Sequence, residues 1–228
     1  GGLYGLKMQS EKSKMNPQAT SEIIPGIYTI ENDNFVNFYL IKNGEGYVAV
    51  DAGNSLESTR AEMDKLRIPP AKVEAVFLTH TDSDHVGALG LFKNARVYIS
   101  SSEEQMINGK TARAIGLFKN SLKCKYEKVE DHQVIDISGL KVKGILNPGH
   151  TPGSMSYIVN DQYLFIGDAF SLKDQKAGIF NEFFNMDSET ASKSIGKLAE
   201  LNGVKYIFTG HYGHTDNFQR ALSTHKPN

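Results

Sequence analysis

The chain has 228 residues, 39% of them hydrophobic and 22% charged, which suits one ordinary globular core and is short for two. A formal net charge of −1 supplies no field for gathering nucleic acid or an anionic membrane surface. The single cysteine, Cys124, excludes an internal disulfide and a thiolate metal cluster. No apolar run approaches the ~20 residues of a membrane span, so a soluble protein without stable membrane insertion is expected. It is either cytoplasmic or exported after removal of an N-terminal signal, since the chain begins Gly1-Gly2.

Residues 1–20 mix Gln, Ser, Lys, Asn and Pro with scattered Met and Leu and show no sustained period. They are expected to be a flexible N-terminal tail, and residues 21–228 a single domain. Residues 22–31 read as a strand bent at Pro25-Gly26. Residues 35–41 and 47–50 are apolar strands joined by Lys42-Asn43-Gly44-Glu45-Gly46, a hairpin turn. In residues 55–66, Leu56, Met63 and Leu66 stand at helical spacing, and Pro69-Pro70 closes the unit. A strand over 73–78, a short helix over 85–92 and a strand over 97–99 follow. Two hairpins come next, 134–137 with 140–146 around Ser138-Gly139, and 155–159 with 163–166 around Asn160-Asp161. Residues 188–201 are helical, and 205–208 form the last clear strand. Hairpins interrupted by a few amphipathic helices argue for packed sheets with helices outside, and against an alternating doubly wound fold.

Candidate ligands are densest at His80, Asp82, Asp84 and His85. They follow the apolar run Val76-Phe77-Leu78, and so sit at a strand's end on a turn that rigid elements hold open to solvent. Imidazoles and carboxylates crowded this closely call for a cation; a solvated turn is the competing reading, since Thr, Asp and Ser are good turn formers. Three more segments repeat the arrangement: His150 between Pro148-Gly149 and Pro152-Gly153, Asp168 in Ile166-Gly167-Asp168-Ala169, and His211 in Thr209-Gly210-His211. Each follows an apolar strand, and the preceding glycine lets the backbone bend closely. Singly, each reads as a polar residue at the edge of the core. Together they imply loops converging on one site.

On these residues the chain resembles the metallo-β-lactamase superfamily, whose pattern is H-x-H-x-D-H, then a distant His, an Asp and a final His. Here it stands as His80-x-Asp82-x-Asp84-His85, His150 in Gly149-His150-Thr151-Pro152-Gly153-Ser154, Asp168 and His211. Val50-Asp51-Ala52-Gly53 is similar to the family's early strand-end motif, and the likeness covers residues 22–215. The resemblance implies an α+β fold, the four-layer αββα sandwich, with metals at one edge between the sheets. It implies two divalent metal ions, one on His80, Asp82 and His150, the other on Asp84, His85 and His211, with Asp168 bridging. Asp51 then orients the ligands from behind; its other reading is a turn aspartate before Gly53.

Asp82 departs from the pattern, which has histidine there. A carboxylate still binds zinc, but it adds a negative charge that histidine would not bring. Zinc is expected, with iron or manganese tolerated because of Asp82. The implied function is a metal-dependent hydrolase in which a hydroxide at the dinuclear site cleaves an ester, lactone, amide or phosphoester bond, with Asp84 as the catalytic proton carrier. Two other readings stand, a diiron-type oxidoreductase lacking its flavin domain and a non-catalytic metal-binding or sensing module.

Tyr212, His214, Phe180 and Phe183 are candidate substrate contacts, whereas His132 and His225 are assigned no role. Residues 103–125, with Lys110, Arg113, Lys119, Lys123 and Lys125, read as a solvated basic helix face or as cover for the site. Residues 170–187, with Phe180, Phe183, Phe184 and Met186, read as core or as a pocket wall. The expected partner is a small-molecule substrate and not a nucleic acid; the oligomeric state is not legible.

Overall fold

The structure, a computed structural model, describes residues 2–226. Seven strands form the first sheet in chain order: β1 (Ser21–Ile24), β2 (Ile27–Asn32), β3 (Val36–Asn43), β4 (Gly46–Val50), β5 (Val73–Phe77), β6 (Arg96–Ser100) and β7 (Glu127–Val129). Strands β1 to β4 pair antiparallel, and β4 to β7 parallel. The second sheet starts with the antiparallel run β8 (Val134–Ile137), β9 (Leu140–Leu146), β10 (Met155–Val159) and β11 (Tyr163–Gly167). A ribbon, β12 (Ser171–Lys173) with β13 (Lys176–Gly178), leaves it. The chain then returns with β14 (Tyr206–Thr209), parallel to β11, and β15 (His214–Thr215).

Strand alternation sorts the side chains into three apolar layers. In β3, Phe38 and Leu40 turn outward toward Met63 of helix α2 (Leu56–Lys65), while Tyr39 and Ile41 face the other sheet. In β11, Phe165 faces inward, and Leu164 and Ile166 pack outward with Ile195 and Leu198 of a C-terminal helix, Ser188–Ala199. The result is the expected αββα sandwich. Both helices start where the side chains can cap them: Ser55 accepts from the Ser58 N–H and Asp187 from the Thr190 N–H, each such cap contributing ~1 kcal/mol.

Two tyrosines pin the sheets together. The Tyr39 hydroxyl donates to the Thr209 carbonyl at 2.6 Å, and the Tyr157 hydroxyl donates to the Leu78 carbonyl at 2.8 Å. One bond crosses from the first sheet to the second and the other crosses back. Each is worth ~1 kcal/mol net, and together they set the strand ends that lead into His80 and His211.

Several elements differ from expectation. Residues 2–12 lie in the segment read as a tail, yet they form helix α1 (Gly2–Lys12). Its own core-facing stripe is missing, with Leu3 and Leu6 exposed, which is why no period announces it. It is held from outside, by Tyr4 against the Phe183 ring, Lys7 over that ring and Glu11 accepting from Asn181. The helix expected over 85–92 is a single turn, α3 (Ser83–Val86), followed by a 3-10 turn at Leu89–Leu91. Residues 103–125 form two one-turn helices, α4 (Glu104–Ile107) and α5 (Arg113–Gly116), and no continuous helical face. The backbone turns left-handed at Gly109 between them and at Ala114 and Gly116 within α5, which breaks any longer helix. The remaining helices are α6 (Ser188–Ala199) and α7 (Phe218–Leu222).

Candidate metal centre

The site lies at one edge of the sandwich because two parallel pairs, β4–β5 and β11–β14, end there from opposite sheets. Asp51 follows β4, residues 79–85 follow β5, Asp168 follows β11, and His211 follows β14. The turn between β9 and β10 brings in His150. Close approach is essential at two glycines. A Cβ on Gly167, itself at φ 53°, would lie 2.2 Å from Thr79 Oγ1; one on Gly210 would lie 2.5 Å from Asp168 Oδ1. Only glycine fits either place.

All four histidines are anchored through Nδ1. His85 donates to Asp51 Oδ2 at 2.8 Å, His80 to Thr79 Oγ1 at 3.0 Å, His150 to Asn185 Oδ1 at 3.2 Å, and His211 to the Phe35 carbonyl. These acceptors hold a proton on Nδ1 and turn each Nε2 toward the carboxylates. His80 Nε2 lies 3.5 Å from Asp82 Oδ2, and His150 Nε2 lies 3.2 Å from it. His211 Nε2 is 3.4 Å from Asp84 Oδ2. Asp168 reaches both groups, with Oδ1 3.4 Å from His85 Nε2 and Oδ2 3.4 Å from both His150 and His211 Nε2.

Ligand atoms bonded at ~2.0–2.1 Å around a tetrahedral ion stand about 3.3 Å apart, so this spacing fits a cation. Three groups each bring three ligand atoms within 4.8 Å of one another: His80 with Asp82 and His150, Asp84 with His85 and His211, and His80 with His85 and Asp168. The buried atoms His80 Nε2, His85 Nε2 and Asp168 Oδ1 have no hydrogen-bond partner in the protein. Orphaned atoms of this kind are costly unless something else satisfies them.

Electrostatics points the same way. Burial opposes charge on every group here, but pairing outweighs it for most. His211, against its burial, is pushed up to about 10 by Asp168 and Asp84. His85 is likewise held well above the ordinary imidazole value by Asp168, Asp51 and Asp84. Despite burial, Asp168 is held well below the usual carboxylate range by His211 and His85, and Asp82 by His150, His80 and Arg113. For Asp84, burial raises the carboxyl less than His85 and His211 lower it. At His150 burial dominates, and the ring is lowered. Protons on His85 and His211 thus balance the carboxylates when no cation does.

Behind these groups stand residues that sequence reasoning did not single out. The buried Glu103 accepts from Thr81 N–H and Oγ1, both at 2.8 Å, and from Thr151 Oγ1 at 2.7 Å, bracing the backbone beside Asp82 and His150. Asn120 donates to Asp82 Oδ1 at 3.0 Å. Arg113, in the stretch read as a solvated face or as cover for the site, turns inward and pairs with Asp82 at 2.6 Å. An aspartate at 82 in place of histidine was the one available signal that a basic partner exists.

The site opens into a cleft of about 1400 Å³. Phe180 and Phe183 line it, together with Phe184 and Met186, and Phe180 stands edge-on to His150 at 5.0 Å. Helix α1 contributes Tyr4, Met8 and Lys12 to the lining, beside Phe183. Tyr212 and His214 do not line this cleft. The chain reverses at Gly213, φ 72°, which turns Tyr212 toward a smaller pocket beside Lys7 and Glu11. His214 stacks on Phe208 and shares a hydrogen bond with Gln18 at 2.7 Å. His132 and His225 lie elsewhere, beside Asp131 and the Ala177 carbonyl.

Residues 32–211 match the family profile described as the metallo-beta-lactamase superfamily. A probable metallo-hydrolase of Methanocaldococcus jannaschii is 30% identical over 151 residues, 66% of this chain and 63% of the relative. A probable polyketide biosynthesis zinc-dependent hydrolase of Bacillus subtilis is 31% identical over 124 residues, 53% of this chain and 48% of the relative. The chain therefore matches about half to two thirds of the length of these relatives. Among solved structures, a metallo-beta-lactamase family protein from Thermus thermophilus superposes with a TM-score of 0.68 at 18% identity, covering 89% of this chain and 79% of that one. Among the described residues, no helix is long and apolar enough to cross a membrane.

Proposed function

The chain belongs to the metallo-beta-lactamase superfamily, and on that premise we propose a dinuclear, metal-dependent hydrolase. Its reaction is cleavage of an ester, lactone, amide or phosphoester bond in a small molecule with an apolar part. The carrying observation is Asp168, whose two oxygens stand 3.4 Å from His85 on one side and from His150 and His211 on the other. His80, Asp82 and His150 would hold one ion, Asp84, His85 and His211 the second, with Asp168 between them. Zinc suits this nitrogen-rich donor set, and the extra carboxylate at Asp82 also admits iron or manganese. When bound, two divalent cations supply a water of lowered pKa and polarise the substrate oxygen.

The chain's own groups account for the remainder. Asp84, partly exposed to the cleft, is the carboxylate that would hold the proton released on attack and pass it to the leaving group. Phe180, Phe183 and Phe184 make an apolar wall that excludes water and receives the substrate's hydrocarbon part. The archaeal and bacterial relatives, a probable metallo-hydrolase and a probable zinc-dependent hydrolase, support this reading.

The test is metal analysis of the purified protein, followed by a screen of esters, lactones, phosphodiesters and β-lactams with the metal-loaded form. Turnover that a chelator abolishes and added zinc restores is the expected result. A protein that takes up no metal, or one that is fully loaded and uniformly silent across the screen, would refute the proposal.

A further inference from the structure

The two ligand sets differ in one respect. Among the described residues, Arg113 is the single arginine or lysine that forms an ion pair with a carboxylate of the cluster. Its Nη2 lies 2.6 Å from Asp82 Oδ2 and 3.3 Å from His150 Nε2, and also donates to the His150 carbonyl at 3.2 Å. Its Nε reaches Asp82 Oδ1 at 3.3 Å, and Nη1 donates to the Phe184 carbonyl. A guanidinium that only braced Asp82 from outside would hold Oδ1. Here the shortest contact falls on Oδ2, the oxygen that stands 3.5 Å from His80 Nε2 and 3.2 Å from His150 Nε2. Arg113 thus engages the carboxylate of the first set and the lone pair of its second histidine. Among the described residues, no arginine or lysine forms an ion pair with Asp84 in the second set.

The geometry points to Arg113 as a tethered cation that occupies the first ligand set and competes with a metal ion for it. The second set then fills first and tightly, and the first set fills only as the guanidinium withdraws. This rests on the two-ion reading above. It also gives Asp82 a reason to replace histidine, because a carboxylate binds a metal and also pairs ionically with a guanidinium, whereas a neutral imidazole brings no charge to that pair. Arg113 sits on a one-turn helix in a segment with left-handed backbone at Gly109, Ala114 and Gly116, and its side chain is 22% exposed at the cleft. Asn120, 3.0 Å from Asp82 Oδ1, keeps the carboxylate oriented once the arginine leaves.

The experiment is calorimetric titration of chelator-stripped protein with zinc alone, with the bound metal counted after gel filtration. The unsubstituted protein is expected to bind one ion tightly and a second more weakly. Arg113→Ala should tighten the second step by about tenfold or more and leave the first unchanged. Arg113→Lys, which keeps the charge but loses the fork, should fall between. A gain in affinity cannot come from misfolding, and an unchanged first step reports an intact site. A second step that Arg113→Ala leaves alone or weakens, or one ion only in every variant, overturns the competition while leaving a metal-dependent hydrolase in place. Absence of zinc binding in all three proteins removes the two-ion reading and this inference with it.

Discussion

Asp51 accepts the Nδ1–H of His85 at 2.8 Å while also accepting the amide and hydroxyl of Thr79 at 2.7 and 2.8 Å. One buried carboxylate therefore orients an imidazole of the second ligand set and the residue that anchors His80 in the first. Asp51→Asn replaces one acceptor oxygen with a donor and removes the charge. It should lower zinc affinity by about 10–100-fold, read by competition against a chromogenic chelator. Unchanged affinity would mean that Asp51 is only a turn residue before Gly53.

Asp168 is the carboxylate within reach of both sets, and a Cβ on Gly210 would collide with it at 2.5 Å. Asp168→Ala should lose metal and activity together, with bound ions falling from two to one or none. Its kcat/KM should drop about a hundredfold or more. Full metal content with full activity in this variant would rule out a bridging role.

Metal uptake should release protons. His211 is pushed up to about 10 in the metal-free protein, and the Asp168, Asp51 and Asp84 carboxylates favour the proton on His85 as well. A histidine must give up its Nε2 proton to bind a metal, so binding expels the protons these rings hold. Because the proton-bound form competes, apparent zinc affinity should rise with pH up to about 10, the value for His211. Calorimetry in two buffers of different ionisation enthalpy measures the release. Equal heats in the two buffers would contradict it.

Glu103 makes a stability prediction separable from metal binding. Its carboxylate is buried and accepts three hydrogen bonds from Thr81 and Thr151. Burial raises its pKa all the same, so the carboxylate is held at a cost that those donors offset only in part. Glu103→Ala strands buried donors and should cost ~2–4 kcal/mol, seen as a lowered urea midpoint for the chelator-treated protein. A midpoint within error of the parent would show that water replaces the carboxylate freely.

The strand-end pattern was legible because it is local. Period-two alternation marks which face of β3, β5 or β11 is buried, and a glycine beside Asp168 and His211 marks where the backbone must bend. From those signals came the main strands and the seven side chains that the structure gathers at one edge of the sandwich. Long-range partners carry no such period. Arg113 meets Asp82 across 31 positions of sequence, through a segment of one-turn helices whose path follows from packing alone. Tyr39 finds Thr209 across 170. Tyr212 and His214 adjoin His211 in the chain, yet the turn at Gly213 carries them away from the cleft. Helix α1 likewise takes its place from Phe183 and Asn181, residues far along the chain. Local sequence thus determined which groups are candidate ligands and where the main strands run. The tertiary structure alone decided which charge stands against Asp82, because the end of a long, flexible side chain goes where distant elements leave it a partner.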